Sequence, residues 1–404
     1  MLVIIAWKNV WRNKRRSIIM IAAIMLGLWG GLFAVGIFTG MYDAMVNSGI
    51  DRNLGHIQVH VKGFRDDHLI TLALPDPDSM ARTISGFAGV KAVSARTVID
   101  GMGSSPTSSQ GVEIMGVSPK EERETTGVAR HVVDGTFFED ESRLPIVIGR
   151  KLAERLGLKI HAKIVLSFQR PDGTIVYGAF RIVGLFDTES TLFDGTTVFV
   201  RHADLDPLVG APLVHELAVR LTTNDSLASV QRRIATAYPS PQVETWEDLA
   251  PELKITAESA DITNAIFLGI ILLALLFGVT NTMLMSVLDR VREFGVLMAV
   301  GMKRRKVFMM IILETLLLSI TGGIAGVGLG VATVAWVGRS GINLGWWSQG
   351  LSLYGINTML YPVIHPSAYP TLGIMVICTA IFAALYPAIK AVRLNPASAL
   401  ATFG

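Results

Sequence analysis

The chain has 404 residues, half of them apolar and only 17% charged, with a mean hydropathy of +0.47. That balance excludes an ordinary water-soluble chain and a disordered one, yet the length leaves room for a large domain outside any membrane. Lys and Arg number 36 against 33 Asp and Glu, so the net charge of +3 says little and the placement of the basic residues says more.

Residues 1–16 carry Trp7 and Trp11 one turn apart. Lys8, Arg12, Lys14, Arg15 and Arg16 accompany them without an acidic residue, as in an amphipathic helix lying at a membrane surface. No nucleic-acid partner is expected for this cluster, because it abuts an apolar span. Residues 17–42 hold 26 positions without Asp, Glu, Lys or Arg, enough for a first transmembrane helix, which takes about 20 apolar residues. The run is too long, and lacks a following small-residue cleavage site, for a removable signal peptide.

Residues 43–261, 219 in all, form an α+β domain large enough for its own core. Gly55–Lys62 alternates as a half-buried strand does. Asp78–Ser85 suits a helix and Val90–Val98 a returning strand. Gly101–Ser105 (GMGSS) reads as a flexible turn, without the Lys-Ser/Thr of a phosphate loop. Leu144–Gly157 reads as a buried strand running into a helix. Lys163–Arg170 and Thr174–Leu185 flank Pro171-Asp172-Gly173, whose chemistry is that of a tight turn. Leu213–Leu221 is a strand, and Asp225–Tyr238 a helix N-capped by Asn224. From Trp246 a helical pattern runs on into the second span as a stalk. His56 and His60 share a strand face, but no Cys or carboxylate joins them at metal-ligand spacing.

Residues 262–288 form the second span, 307–338 the third and 371–389 the fourth. The Gly-, Pro- and aromatic-rich stretch 339–370 is an external loop. Between spans two and three, residues 289–306 (DRVREFGVLMAVGMKRRK) place a short apolar stripe between charged ends, a helix lying on the membrane rather than crossing it. Lys303–Lys306 precede the third span, and Lys390 and Arg393 in the tail 390–404 follow the fourth. With the basic N-terminus, these put both termini in the cytoplasm and residues 43–261 outside. Gly322, Gly326 and Gly330 recur every four residues, a face for close helix packing or a gating hinge. Glu314 lies inside the third span, where an ionisable group is functional, snorkels to the interface, or pairs with Lys303, Arg304 or Lys306. The only cysteine, Cys378, falls in the fourth span, so the external domain folds without disulfides.

No G-x-x-x-x-G-K-[ST], H-E-x-x-H, Ser-His-Asp or paired-carboxylate motif has a credible context, so this chain is expected to be non-catalytic and to bind no cofactor or metal itself. The stretch Arg290–Arg305, with Arg-Glu-Phe-Gly-x-Leu-x-Ala-x-Gly, resembles the cytoplasmic loop of the MacB/FtsX/LolC-LolE superfamily of ABC transporter permeases. AWKNVWRNKRRS (6–17), VIGRKLAERLGL (147–158), ILETLLLSITGGIAGVGLG (312–330) and YPAIKAVRLNPASAL (386–400) resemble further stretches of that family. Two departures stand out. His161-Ala162 replace the Gly-Asp usual after the Leu-Gly-Leu at 156–158. The connection 169–174 is far shorter than the Pro-containing hook by which LolC engages a periplasmic carrier.

The resemblance implies a multi-pass protein of the bacterial inner membrane with a mechanotransmission role. Two separate ABC ATPase subunits would bind ATP and Mg, and a second permease copy or paralogue would complete the complex. Arg290, Arg292, Glu293, Phe294, Gly295, Leu297 and Gly301 would couple to the ATPase. Phe33, Ile37, Met41 and Met45, with Phe267, Ile270 and Ile271, would line a ligand cavity; methionine suits irregular acyl surfaces. The function implied is extraction or release of a lipoprotein or lipid, with a periplasmic carrier or adaptor as a further partner. The alternatives are MacB-like efflux of small molecules or peptides, and FtsX-like gating of a cell-wall hydrolase.

Overall fold

A computed structural model describes residues 2–12, 14–139, 142–188, 190–347, 358–365 and 368–393; the last part of the C-terminal motif, 394–400, lies outside them. The chain divides into two compact units. One comprises Met1–Tyr42, Ala257–Asn343 and Met359–Gly404, the other Asp43–Thr256 and Leu344–Thr358.

The first unit is helical. A short helix, Leu2–Arg12, precedes the long helix Lys14–Gly49. The other long helices are Pro251–Asp289, Arg304–Ser340 and Ala368–Arg393, with Val291–Ala299 between the first two of these. Four of the described helices are long and apolar enough to cross a membrane. Their shared core includes Ile24, Leu28, Leu272, Met283, Met310 and Leu318. Gly322, Gly326 and Gly330 all turn toward the first span. A Cβ on Gly322 would stand 3.0 Å from the carbonyl oxygen of Ile21, and one on Gly326 would stand 2.7 Å from that of Met25. Only hydrogen fits there, so the two helices approach backbone to backbone.

The helix expected to start at Trp246 is interrupted. Trp246–Leu249 is a separate turn, closed by a capping box in which Thr245 and Asp248 satisfy each other's backbone. Ala250 leaves the helical region, and Pro251, whose missing N–H costs nothing in a first turn, starts the long helix. Its 39 residues span about 58 Å at about 1.5 Å each.

The second unit is built on a ten-stranded mixed sheet. In chain order its strands are β1 (Ile57–His60), β2 (Val90–Ser104), β3 (Ser109–Val117), β4 (Val132–Gly135), β5 (Pro145–Gly149), β6 (Lys163–Gln169), β7 (Ile175–Phe186), β8 (Thr197–Arg201), β9 (Glu216–Leu221) and β10 (Gln242–Thr245). The sheet runs β10-β1-β9-β2-β3-β8-β5-β7-β4, with β6 bridging β2 and β7. Among the described residues, only β3–β8 and β5–β7 pair in parallel. Every residue of β5, PIVIG, is buried, as its unbroken apolar run requires. Between β6 and β7 the tight turn forms, with Gly173 at φ +86° and the Arg170 N–H donating to the Thr174 carbonyl.

Two local expectations are corrected. Gly101–Ser104 is not a flexible turn but the end of β2, paired with β3 on one side and β6 on the other. A Cβ on Gly101 would lie 2.7 Å from the Ser167 carbonyl oxygen, so glycine serves close strand approach there. Asn224 does not cap the following helix. It sits in a 3-10 turn, and its Oδ1 accepts from the Trp246 indole N–H at 3.2 Å. His161 adopts φ +66°, a conformation glycine reaches without strain.

Candidate coupling site

The loop helix Val291–Ala299 begins one residue after the second span ends, with Arg290 at its N-cap. Its apolar stripe turns inward. Phe294 is 1% exposed and belongs to the helical core, Gly295 is buried, and Leu297 packs against the same core. Phe294 therefore anchors the loop within its own chain rather than offering an exposed contact. The outward face consists of Arg292, Val296, Ala299 and Val300, the last being 83% exposed. Gly301, at φ +100°, ends the helix in the left-handed turn that favours glycine, and its N–H donates to the Met298 carbonyl.

An ionic row ties this loop to its neighbours. Arg12, in the last turn of the N-terminal helix, reaches both carboxylate oxygens of Glu293 at 2.7 and 2.5 Å. The Arg290 Nε donates to Glu293 Oε2 at 3.0 Å, and its Nη1 reaches both oxygens of Glu314 at 3.2 and 3.0 Å. Glu314 thus pairs with Arg290, not with the exposed Lys303, Arg304 or Lys306. Burial alone would raise the Glu293 carboxyl, but the guanidinium groups of Arg12 and Arg290 hold it below the usual range. Glu293 in the first turn of one helix and Arg12 in the last turn of another also suit the helix dipoles. A polar cavity of about 280 Å³ opens beside the row, bordered by Arg16, Ser17, Ser286 and Asp289. Sequence reasoning missed Arg12 and Arg16 as members of this site; only their unbroken positive run hinted at them.

The residues expected to form a ligand cavity are spread out. Phe33, Ile37 and Met41 are half-buried on the first span, and Phe33 stacks on Trp29. Phe267 stacks on Phe38 with ring centres 5.1 Å apart, and Ile270 is exposed. Met45 is buried and belongs to the α/β unit. Ile271 alone of the set lines an apolar groove of about 490 Å³ between the first and second spans, with Ile24, Gly27, Gly31, Leu275 and Val279. Gly31 lets the Ile271 side chain lie against the first helix.

No group of three metal-ligating side chains occurs among the described residues. His60 pairs with Glu244 at 2.9 Å. His56 accepts from the Leu221 N–H, and burial pulls its pKa down to about 4, so it stays neutral.

Residues 17–237 match the family described as MacB-like periplasmic core domain, and residues 265–396 match the one described as FtsX-like permease C-terminal. The chain belongs to the MacB/FtsX/LolC family of ABC transporter permeases. Family membership agrees with the four apolar helices and the α/β domain between the first and second of them. The permease is 24% identical, over 96% of its length, to the macrolide export ATP-binding/permease protein MacB of Bdellovibrio bacteriovorus, of which it spans 59%. It is 24% identical to the uncharacterized ABC transporter permease YvrN of Bacillus subtilis, with 98% of each chain covered. To the lipoprotein-releasing system transmembrane protein LolC of Xylella fastidiosa it is 22% identical, with 96% of each chain covered. Permeases of this family work with ATPase partners.

Proposed function

We propose that this permease receives the closing motion of two separate ATPase subunits on the loop helix Val291–Ala299 and converts it into movement of the α/β domain. The work done is the extraction or release of a lipoprotein or lipid from the inner membrane. The carrying observation is the two-sided character of the loop helix, fastened inside by Phe294 and the ionic row while Arg292, Val296, Ala299 and Val300 face outward. Both termini lie in the cytoplasm on this reading, because the basic clusters flank the spans on one side. A second permease, like or unlike, completes the complex, and the chain itself binds no nucleotide.

The lipid part of the reading is supported by the groove beside Ile271, which is apolar and lies between two spans. A chain already in the bilayer gains almost nothing by entering such a groove, so selectivity comes from shape and head-group contacts rather than from burial. Two measurements test the proposal. Val296→Asp should abolish co-purification of the ATPase while leaving the permease in the membrane; retained ATPase would refute the coupling assignment. A photocrosslinker at Ile271 should capture a lipidated ligand before ATP is added and release it afterwards. Capture of bulk phospholipid alone, unchanged by ATP, would leave the extraction reading without support and favour gating of a cell-wall hydrolase without a carried substrate.

A further inference from the structure

The loop helix meets its two neighbouring spans unequally. One residue, Arg290, separates it from the second span, whereas Val300 to Lys303, with Gly301 in a left-handed turn, separate it from the third. Along the chain, a push on the loop would reach the second span directly and be absorbed at Gly301 before it reached the third, leaving the packing of Phe294 against the core shared with Met310 and Ile311 as the apolar route across. The ionic row bypasses that slack. Arg290 grips both oxygens of Glu314, which is 6% exposed on the third span, while its guanidinium lies 5.2 Å above the Phe294 ring. Glu293 extends the row to Arg12 on the N-terminal helix.

We propose that Arg12, Glu293, Arg290 and Glu314 form a mechanical latch joining the N-terminal helix, the loop helix and the third span into one moving block, with Glu314 as the positioning residue. The proposal rests on the coupling role of the loop helix. Alternating charges give each inner member two partners, so no carboxylate or guanidinium in the row faces a like charge alone. The buried end resists opening, since separating Glu314 from Arg290 would leave two charges in a low-dielectric interior. The outer end, Arg12 with Glu293, is half-exposed and is the weaker link. The apolar packing of Phe294 holds the loop in place, but only the charged row reaches across to Glu314.

The test uses the full permease with its co-purifying ATPase in lipid nanodiscs, after Cys378→Ser. Spin labels at Val291, half-buried and off the outward face of the loop helix, and at Ile320, which is exposed, report the spacing of loop helix and third span. Labels at Val291 and Leu273 report the second span. In the wild type the first distance should stay narrow with and without a non-hydrolysable ATP analogue. Glu314→Gln should broaden it by about two-fold and raise amide exchange in residues 291–300 by about ten-fold. Arg12→Gln, at the exposed end, should give the same change in smaller degree and covers the case in which Glu314→Gln does not fold. An unchanged first distance in both variants, with ATPase still bound, overturns the latch and leaves the coupling reading intact. A merely structural pair, lowering the melting temperature without altering either distance, overturns it too. A wild type that binds no ATPase and ignores nucleotide refutes the coupling reading and the latch with it.

Discussion

The two units bury charge in different ways. In the α/β unit Arg96 is fully buried on β2, and each of its three guanidinium nitrogens finds an acceptor. Nη2 and Nε reach Glu122 at 2.7 and 3.0 Å, and Nη1 reaches Glu216 at 2.8 Å and the Asn53 carbonyl at 2.6 Å. Ser94 and Thr126 donate to the same Glu122 carboxylate. Burial disfavours the charge on Arg96, but Glu122 and Glu216 outweigh it and raise its pKa, while Arg96 and the two hydroxyls hold Glu122 low. In the helical unit the row from Glu314 to Arg12 grades from buried to exposed and borders a cavity. A buried cluster within one unit, with every guanidinium nitrogen paired, fixes a shape. A graded row between separate helices can give way from its outer end.

The largest expected effect tests the buried cluster in that contrast. Arg96→Met leaves Glu122 charged and buried without its partner, and should cost about 3–5 kcal/mol in denaturant unfolding. Arg12→Gln, at the exposed end of the row, should cost below about 1 kcal/mol. Equal losses would erase the distinction. Next comes the helix contact itself. Gly326→Leu drives a side chain against the Met25 carbonyl and should cost about 1–3 kcal/mol by overpacking, read as a lower melting temperature of the whole permease.

A smaller gain is expected in the α/β unit. His161→Gly removes a left-handed strain of about 1–2 kcal/mol, offset by the extra freedom of glycine in the unfolded chain, for a net gain of about 1 kcal/mol. His161→Ala should give none of it. The smallest effect concerns pH. Glu113, directly across from Asp100 in the β2–β3 pair, is pushed up to about 7 by burial and then by Glu216. Its folded value lies above the ordinary 4.5, so the stability it contributes is complete below pH 4.5 and is lost as pH rises toward 7. Glu113→Gln should flatten that slope in thermal melts taken from pH 4.5 to 7.5. A slope unchanged by the substitution would assign the pH response elsewhere.

Long features were legible in the sequence because their signals accumulate. Charge-free runs marked the four apolar helices, and Pro171-Asp172-Gly173 marked its turn through local backbone chemistry alone. Short or paired features were not. β8 has only five residues between two short helices, too few for periodicity to speak. The stripe on the loop helix was visible, yet an apolar face says only that something covers it; that Phe294 turns to its own chain depends on the packed helices. Glu314 chose Arg290, 24 residues away, over nearer lysines and arginines because the chain reversal brings them together. The same holds for Gly101, which reads as a loop residue until β6 is seen crossing beside it.

The glycine ladder between the first and third spans has equal rungs. Gly322 lies at Ile21 and Gly326 at Met25, four residues on in both helices, which therefore run in the same direction. One rung is about 6 Å along the axis, at about 1.5 Å per residue. Slipping by one rung brings Gly326 to Ile21 and again sets hydrogen against a carbonyl. At half a rung the glycine hydrogens no longer face the Ile21 and Met25 carbonyls. Any sliding between these two helices would therefore favour whole rungs, a tooth spacing written in the repeat of the smallest residue.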